Sequence, residues 1–449
     1  MTVSFRQAGA SAGMRFLFCC EFYHPSVGGV QEVMRQVAER LVERGHEVTV
    51  ATTALPDRRT RVHNGVTIEE FAVTGNLVSG LEGEVERYRS FVAGFGADAV
   101  LIKAAQQWTF DALWPVLGAL SSRKIFIPCG FSRLYDPNFA AYYEQMRNVL
   151  PQIDHFIFYA EDYRDIAFVR QAGLRNFSIV PNGACEREFG DDKPRSDLRA
   201  RLGVDANAFV FLSVGSLTSI KGHTETVEAF ARMDTGGVPS TLIINGNKPS
   251  LATTRQPGRW QLAVQLGRHL VRNVRERGLR STARRVWARL EGRGASDVEG
   301  QIRYWSQIAT SQLGKQVVLV DLPRSDLVDA YRTADLFVFA SNIEYSPLVL
   351  YEAAAAGTPF LSVPVGNAEE IARRTGAGLI CPAPIDEWGF TRVAPAELAV
   401  AMQRAMEDRA KLKEMGRRGR AAWRAHFTWQ RISEQYEEIL RGPRAAPNA

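Results

Sequence analysis

Short apolar runs alternate with amphipathic ones along nearly the whole chain, and the rhythm restarts halfway. RFLFCCEF, from Arg15, is followed by a loop, HPSVGG, and then by VQEVMRQVAERLVERG, with apolar residues at helical spacing and a closing glycine. HEVTVATT, DAVLIKA, KIFIPCG, HFIFYA and FSIVPN follow as strands. AFVFLSVGS, from Ala208, begins a second series that continues through TLIINGN, QVVLVDL, LFVFAS and TPFLSV. Strands that are apolar throughout and separated by helices belong in a parallel sheet covered on both faces. At 449 residues the chain exceeds one ordinary domain. The pattern therefore predicts an α/β protein of two doubly wound, Rossmann-like domains, 14–190 and 191–426. Their polar joint is EREFGDDKPRSD. Residues 1–13 and 442–449 read as disordered tails.

Composition narrows the class. No apolar run reaches the 18 or so residues of a membrane span, and MRFLFCC is too short for a signal sequence. The five cysteines form no CxxC pair and no metal-ligand spacing, which fits reduced thiols in a cytoplasmic protein. The net charge of +6 is local. Eleven arginines and two acids lie between Arg255 and Arg293, so that stretch carries +9 and the remainder −3.

In doubly wound sheets ligands bind beyond the carboxyl ends of the strands, and the informative residues fall there. Gly28 and Gly29 follow the first strand, with His24 beside them. Gly215 to Gly222, with Ser216 and Lys221, follows the first strand of the second half. Asn245 and Gly246 follow its second strand, and Glu344 follows LFVFAS. EYSPLVLYEAAAAGTPFL then predicts a helix with Ser346 as N-cap, Pro347 at the first helical position and Gly357 as stop. The amides of Leu348 and Val349 are free donors at its start, where an anion such as phosphate binds. Glu344 and Glu352 bracket that point, and carboxylates beside a phosphate site suit the hydroxyls of sugars.

These residues carry a resemblance. EYSPLVLYEAAAAGTPFLSVPVGNAEEI resembles the E-x7-E signature of retaining glycosyltransferases of the GT-B fold, family four (glycosyl transferases group 1). HPSVGGVQEVMRQVAERLVERGHEVTV is similar to that family's glycine loop and first helix. VPNGACEREF, containing Asn182, is similar to its exit from the first domain. VGSLTSIKGHTETVEAF resembles its phosphate loop, and HFTWQRISEQYEEIL its last helix. The resemblance implies two domains facing a central cleft, with 427–441 crossing back to complete the first. It implies that Lys221 contacts a donor diphosphate, Glu352 the ribose and Glu344 the transferred sugar. Lys221 and Glu344 are then the catalytic candidates. Two departures stand out. Ser216 occupies the usual place of an arginine, and Cys129, in IFIPCGF, that of a histidine. Cys129, His24 and Asn182 are candidate cleft-lining residues. The implied reaction is transfer of a sugar from a nucleotide-diphosphate sugar to a hydroxyl acceptor, lipid-linked or polysaccharide. It uses no protein nucleophile, and the chain's lack of a D-x-D pair implies no metal. The departures also fit a catalytically weak protein that binds nucleotide sugar. The stretch Arg255–Arg293, within an insert at 250–300, has amphipathic spacing suited to an anionic membrane surface. No nucleic-acid motif accompanies it.

Overall fold

Strand β1 (Arg15–Cys19) is buried from its second residue onward and pairs in parallel with a neighbour on each edge. It is the middle of a sheet in a computed structural model that describes residues 13–191, 197–246 and 298–442. The other strands of the first half are β2 (Glu47–Thr53), β3 (Val62–His63), β4 (Val66–Phe71), the hairpin β5 (Val73–Asn76) and β6 (Gly80–Gly83), β7 (Ala99–Lys103), β8 (Arg123–Ile127), β9 (His155–Phe158) and β10 (Phe177–Ile179). The sheet order is β10-β9-β8-β7-β1-β2-β4-β3, parallel except at the β3 edge. The second half contains β11 (Phe209–Val214), β12 (Ser240–Asn245), β13 (Lys315–Val320), β14 (Leu336–Phe339), β15 (Phe360–Ser362) and β16 (Gly378–Ile380). They form a wholly parallel sheet, β13-β12-β11-β14-β15-β16. In both sheets the order reverses beside the first strand, leaving a crevice at the carboxyl ends of β1 and β7 and of β11 and β14.

Helices α1 (Gly29–Glu43), α2 (Glu186–Phe189), α3 (His223–Arg232), α4 (Arg324–Thr333), α5 (Leu348–Ala356), α6 (Arg409–His426) and α7 (Trp429–Arg441) frame the crevices and the crossings between them. The chain crosses between the halves twice, side by side. Ala184 N donates to Phe427 O at 3.0 Å, and Trp423 Nε1 donates to Ala184 O at 3.0 Å. Thr428 caps α7 by accepting from Arg431 N. Trp429, Ile432, Tyr436 and Leu440, one face at spacings of three and four, then enter the core of the first half beside Phe16, Phe18 and Leu41. Glu437 fixes the outer edge of α7, taking Arg44 and, at 3.1 Å, His46. The stretch Arg255–Arg293 lies outside the described residues, as do the expected tails apart from Gly13 and Gly442. Among the described residues no helix is long and apolar enough to cross a membrane.

The double crossing leaves no room at Gly183. A methyl group there would lie 2.2 Å from Phe427 O and 2.5 Å from Ile432 Cδ1. Gly183→Ala is expected to lower the melting temperature by several degrees, the effect of roughly 1–3 kcal/mol of overpacking. Faster amide exchange confined first to Trp429–Arg441 would show that the second crossing has loosened.

Candidate active site

The loops at the two crevices meet. A methyl group on Gly29 would touch Leu348 Cδ1 at 3.8 Å, so the glycine loop of the first half faces the start of α5 in the second. Gly28 precedes α1 in extended backbone, and its missing side chain leaves space for the end of Gln31. Lys221 and Glu344 form an ion pair, both partly buried. Their two loops are laced together. Asn342 N donates to Ile220 O at 2.8 Å, Asn342 Nδ2 donates to Ser219 O at 3.2 Å, and the Ser341 hydroxyl lies 3.3 Å from Glu344 Oε1. Gly222 makes this approach possible. Its φ is +71°, and a methyl group there would sit 1.9 Å from Ala340 O. Below the loop, His223 is buried. Its Nε2 lies 3.1 Å from Gly215 O, which can only accept, so Nε2 carries the proton and Nδ1 accepts from Ser213 Oγ at 3.3 Å. Burial, only partly offset by the Gly215 bond, lowers the His223 pKa to about 4.

The opening of α5 differs from the sequence expectation. The helix begins at Leu348 with Pro347 as its cap residue, and no side chain caps it. Pro347 holds the extended geometry of a cap instead of a helical one, so Ser346 falls outside the helix. The Ser346 Oγ is buried and faces the Tyr351 hydroxyl, and the Ser346 carbonyl accepts from Asn182 Nδ2 at 2.9 Å. Gly357 ends the helix in the left-handed conformation, as its position predicts. Leu348 and Val349 therefore present amides that no preceding turn can satisfy. The Thr218 hydroxyl, in the loop that carries Ser216, is buried and unpartnered.

The remaining sequence candidates divide by what they touch. Asn182 braces the segment before α5 and is 3% exposed. Asn245 Oδ1 accepts from Leu322 N at 2.8 Å, holding the loop after β13. Gly246 packs where a methyl group would lie 2.5 Å from Leu217 and 2.8 Å from Gly215 O. His24 stacks on His63, with centroids 3.5 Å apart, and its carbonyl takes Arg58 Nε at 2.7 Å. Cys129 has a φ of +62° and packs against the core of the first half around β1 and α7. Burial pushes its thiol pKa up, against the pull of Lys103, so it is a neutral packing group.

Three features were missed. Tyr345 reaches into the first half, where its hydroxyl accepts from Tyr159 N at 2.9 Å and its ring packs against Tyr159 and Tyr163. A methyl group on Gly130 would be 2.8 Å from that ring. Tyr159 in turn binds the fully buried Lys103. Second, Arg324 at the start of α4 holds Glu352, with Nη2 2.6 Å from Oε1. Third, Ala104, Gln106, Cys129 and Phe131 all have positive φ after β7 and β8, and such strain gathers at functional sites. On the same side Glu21 has its pKa raised to about 7 by burial and by Asp111, whose own pKa burial raises to about 6. Pairing across distant segments leaves no local sequence signal for any of them.

The arrangement is a cleft between two parallel sheets, with a cation, two carboxylates and a helix start at its centre. The "Glycosyl transferase 4-like domain" matches residues 28–183 and "Glycosyl transferases group 1" matches 297–422. The chain belongs to the group 1 glycosyltransferases of the GT-B fold. Over 434 residues it is 22% identical to N-acetyl-alpha-D-glucosaminyl L-malate synthase of Bacillus anthracis, covering 93% of this chain and 94% of that protein. It is 27% identical over 281 residues to D-inositol 3-phosphate glycosyltransferase of Nocardia farcinica, covering 61% of this chain and 49% of the relative. The fold is shared with sucrose-phosphate synthase of Thermosynechococcus elongatus (TM-score 0.68, 18% identity, 95% and 98% of the two chains). It is also shared with Anabaena Alr3699/HepE solved with UDP and glucose (TM-score 0.62, 18%, 95% and 99%).

The buried neutral His223 gives this glycosyltransferase a defined acid response. Its folded pKa lies below the unfolded one, so its contribution to stability is present above about pH 6.5 and is lost as pH falls through about 4. His223→Gln is expected to flatten the loss of stability across that window. Urea melts at pH 4, 5, 6 and 7 check this; equal slopes in both proteins would refute it.

Proposed function

We propose that this glycosyltransferase moves a sugar from a nucleoside diphosphate to a hydroxyl acceptor, with retention of anomeric configuration and without a metal. The observation that carries the reading is the convergence of Lys221, Glu344 and the start of α5. A diphosphate at that helix start would draw Lys221 away from Glu344 as a point charge. It would also take up the Leu348 and Val349 amides. Glu344, so released, accepts hydroxyls of the sugar, and Glu352 those of the ribose. Ser216, Asn245 and Gly246 shape the loops around the donor, while Gly28 and Gly29 let the opposite wall approach it.

The acceptor oxygen attacks the anomeric carbon from the face the diphosphate leaves. The C–O bond to phosphate breaks, and the acceptor proton passes to the departing phosphate oxygen. Charge building on that oxygen is stabilised by Lys221 and the α5 amides, an environment set before the reaction starts. Relatives support the reactant classes. Alr3699/HepE has been solved with UDP-glucose, and a trehalose-phosphate synthase from Burkholderia xenovorans with glucose-6-phosphate. Two relatives are named for L-malate and for D-inositol 3-phosphate, both of which carry hydroxyls. A lipid-linked or polysaccharide acceptor extends the reading toward glycoconjugate synthesis on the cytoplasmic face of a membrane. The stretch Arg255–Arg293 would serve there as the basic contact, a role that rests on its sequence alone. Stronger flotation with anionic than with neutral vesicles checks it.

Release of free sugar from a panel of nucleoside diphosphate sugars tests the main reading. Lys221→Met is expected to lower the rate by about 10²–10³-fold, the cost of one preorganised charge at the leaving group. Glu344→Gln should weaken sugar selection while leaving nucleoside diphosphate binding within a few fold. Donor binding without turnover by the unaltered protein would favour a nucleotide-sugar-binding role, which Ser216 and Cys129 at the departed positions also fit.

A further inference from the structure

Arg324 belongs to no motif, yet it holds two carboxylates at once, Glu352 and Glu188. Its Nη2 donates to Glu352 Oε1 at 2.6 Å. Its Nε and Nη2 grip Glu188 as a fork, 3.1 Å from Oε1 and 2.7 Å from Oε2. Glu188 sits on α2, where the chain has just left the first half, and its carbonyl is held by Arg332 Nη2 at 2.8 Å. Glu352 is only 8% exposed. A carboxylate so buried needs its charge met, and removing a partner leaves it either protonated or turned toward water. Arg324 engages one lone pair of Oε1 and the buried Tyr331 hydroxyl faces the same carboxylate, and the two oxygens have lone pairs beyond these for a ligand's hydroxyls. The field of Arg324 also reaches across the cleft. Burial opposes ionisation of Glu32 on α1, but hydrogen bonds from Arg35 and Gln36 and the charge of Arg324 hold its carboxyl below the usual range.

We propose that Arg324 is a positioning residue. It fixes Glu352 in the orientation that receives the vicinal hydroxyls of a ribose, and it anchors that orientation on Glu188 at the crossing between the two halves. The proposal rests on Glu352 being the ribose contact, and it adds the group that makes the carboxylate a selective one. Arg324 acts through Glu352 and touches no reacting atom.

The test is calorimetric titration of the full chain with uridine, guanosine and adenosine diphosphates, and with the 2′,3′-dideoxy form of whichever binds. The unaltered protein should prefer the ribonucleotide by roughly ten- to hundred-fold, the worth of two hydroxyls donated to a carboxylate. Arg324→Met should bring that ratio to within about three-fold while changing dideoxynucleotide affinity little, because only the hydroxyl contact is disordered. Arg324→Lys, which keeps the charge but not the fork, should give an intermediate ratio, as should Glu188→Gln. Both also serve if the methionine variant does not fold. A folded Arg324→Met protein with the unaltered ratio would overturn the proposal, and if Glu352→Gln abolished the ratio in the same series, the ribose reading would stand without it. No ribose preference in the unaltered protein would overturn both. Failure to bind any nucleoside diphosphate would overturn the proposed function itself.

Discussion

The insertion of Tyr345 into the first half is the contact on which the site's geometry depends. The residue follows Glu344 directly, so the position of a carboxylate in one domain is set by a ring buried in the other. The Tyr163 hydroxyl donates to the Glu344 carbonyl at 2.9 Å, and Asn367 Nδ2 donates to Tyr159 O at 3.1 Å. These bonds tie the segment before α5 to β9 and its loop from both sides. Only glycine at 130 leaves room for the ring. Asp165 receives the Gly130 amide at 2.8 Å, and burial raises its pKa to about 6. The segment before α5 is thus held in place by its docking on the other half.

The cleft also balances its own charge. Lys221 is matched with Glu344 and Arg324 with Glu352 and Glu188. The two cations thus join the loops and helices that carry the carboxylates.

Much of this was legible in the sequence. Parallel sheets announce themselves through apolar runs, and the loops that matter must then follow those strands. Lys221, Glu344 and the α5 segment lie in such loops and within contiguous motifs, which is why they could be named. The helix start was misplaced by one residue because Ser-Pro satisfies the capping pattern equally well with proline inside the helix or at its cap. Asn182 and Asn245 each use one end of the amide to brace a loop, Nδ2 of Asn182 on Ser346 O and Oδ1 of Asn245 on Leu322 N. Arg324 left no trace at all. Its partners lie 28 and 136 positions away, and an arginine in a polar helix start looks solvated until the fold buries the carboxylates beside it.

The second crossing sets a timetable for synthesis. The first half needs the apolar face of α7, which closes the core over β1 and α1, yet α7 follows Gly183 by more than half the chain. At the usual elongation rates the ribosome takes roughly 12 to 50 s to make the intervening residues. Throughout that interval the groove that Trp429, Ile432 and Tyr436 will fill stands open and apolar. The first half therefore stays incomplete until α7 has emerged.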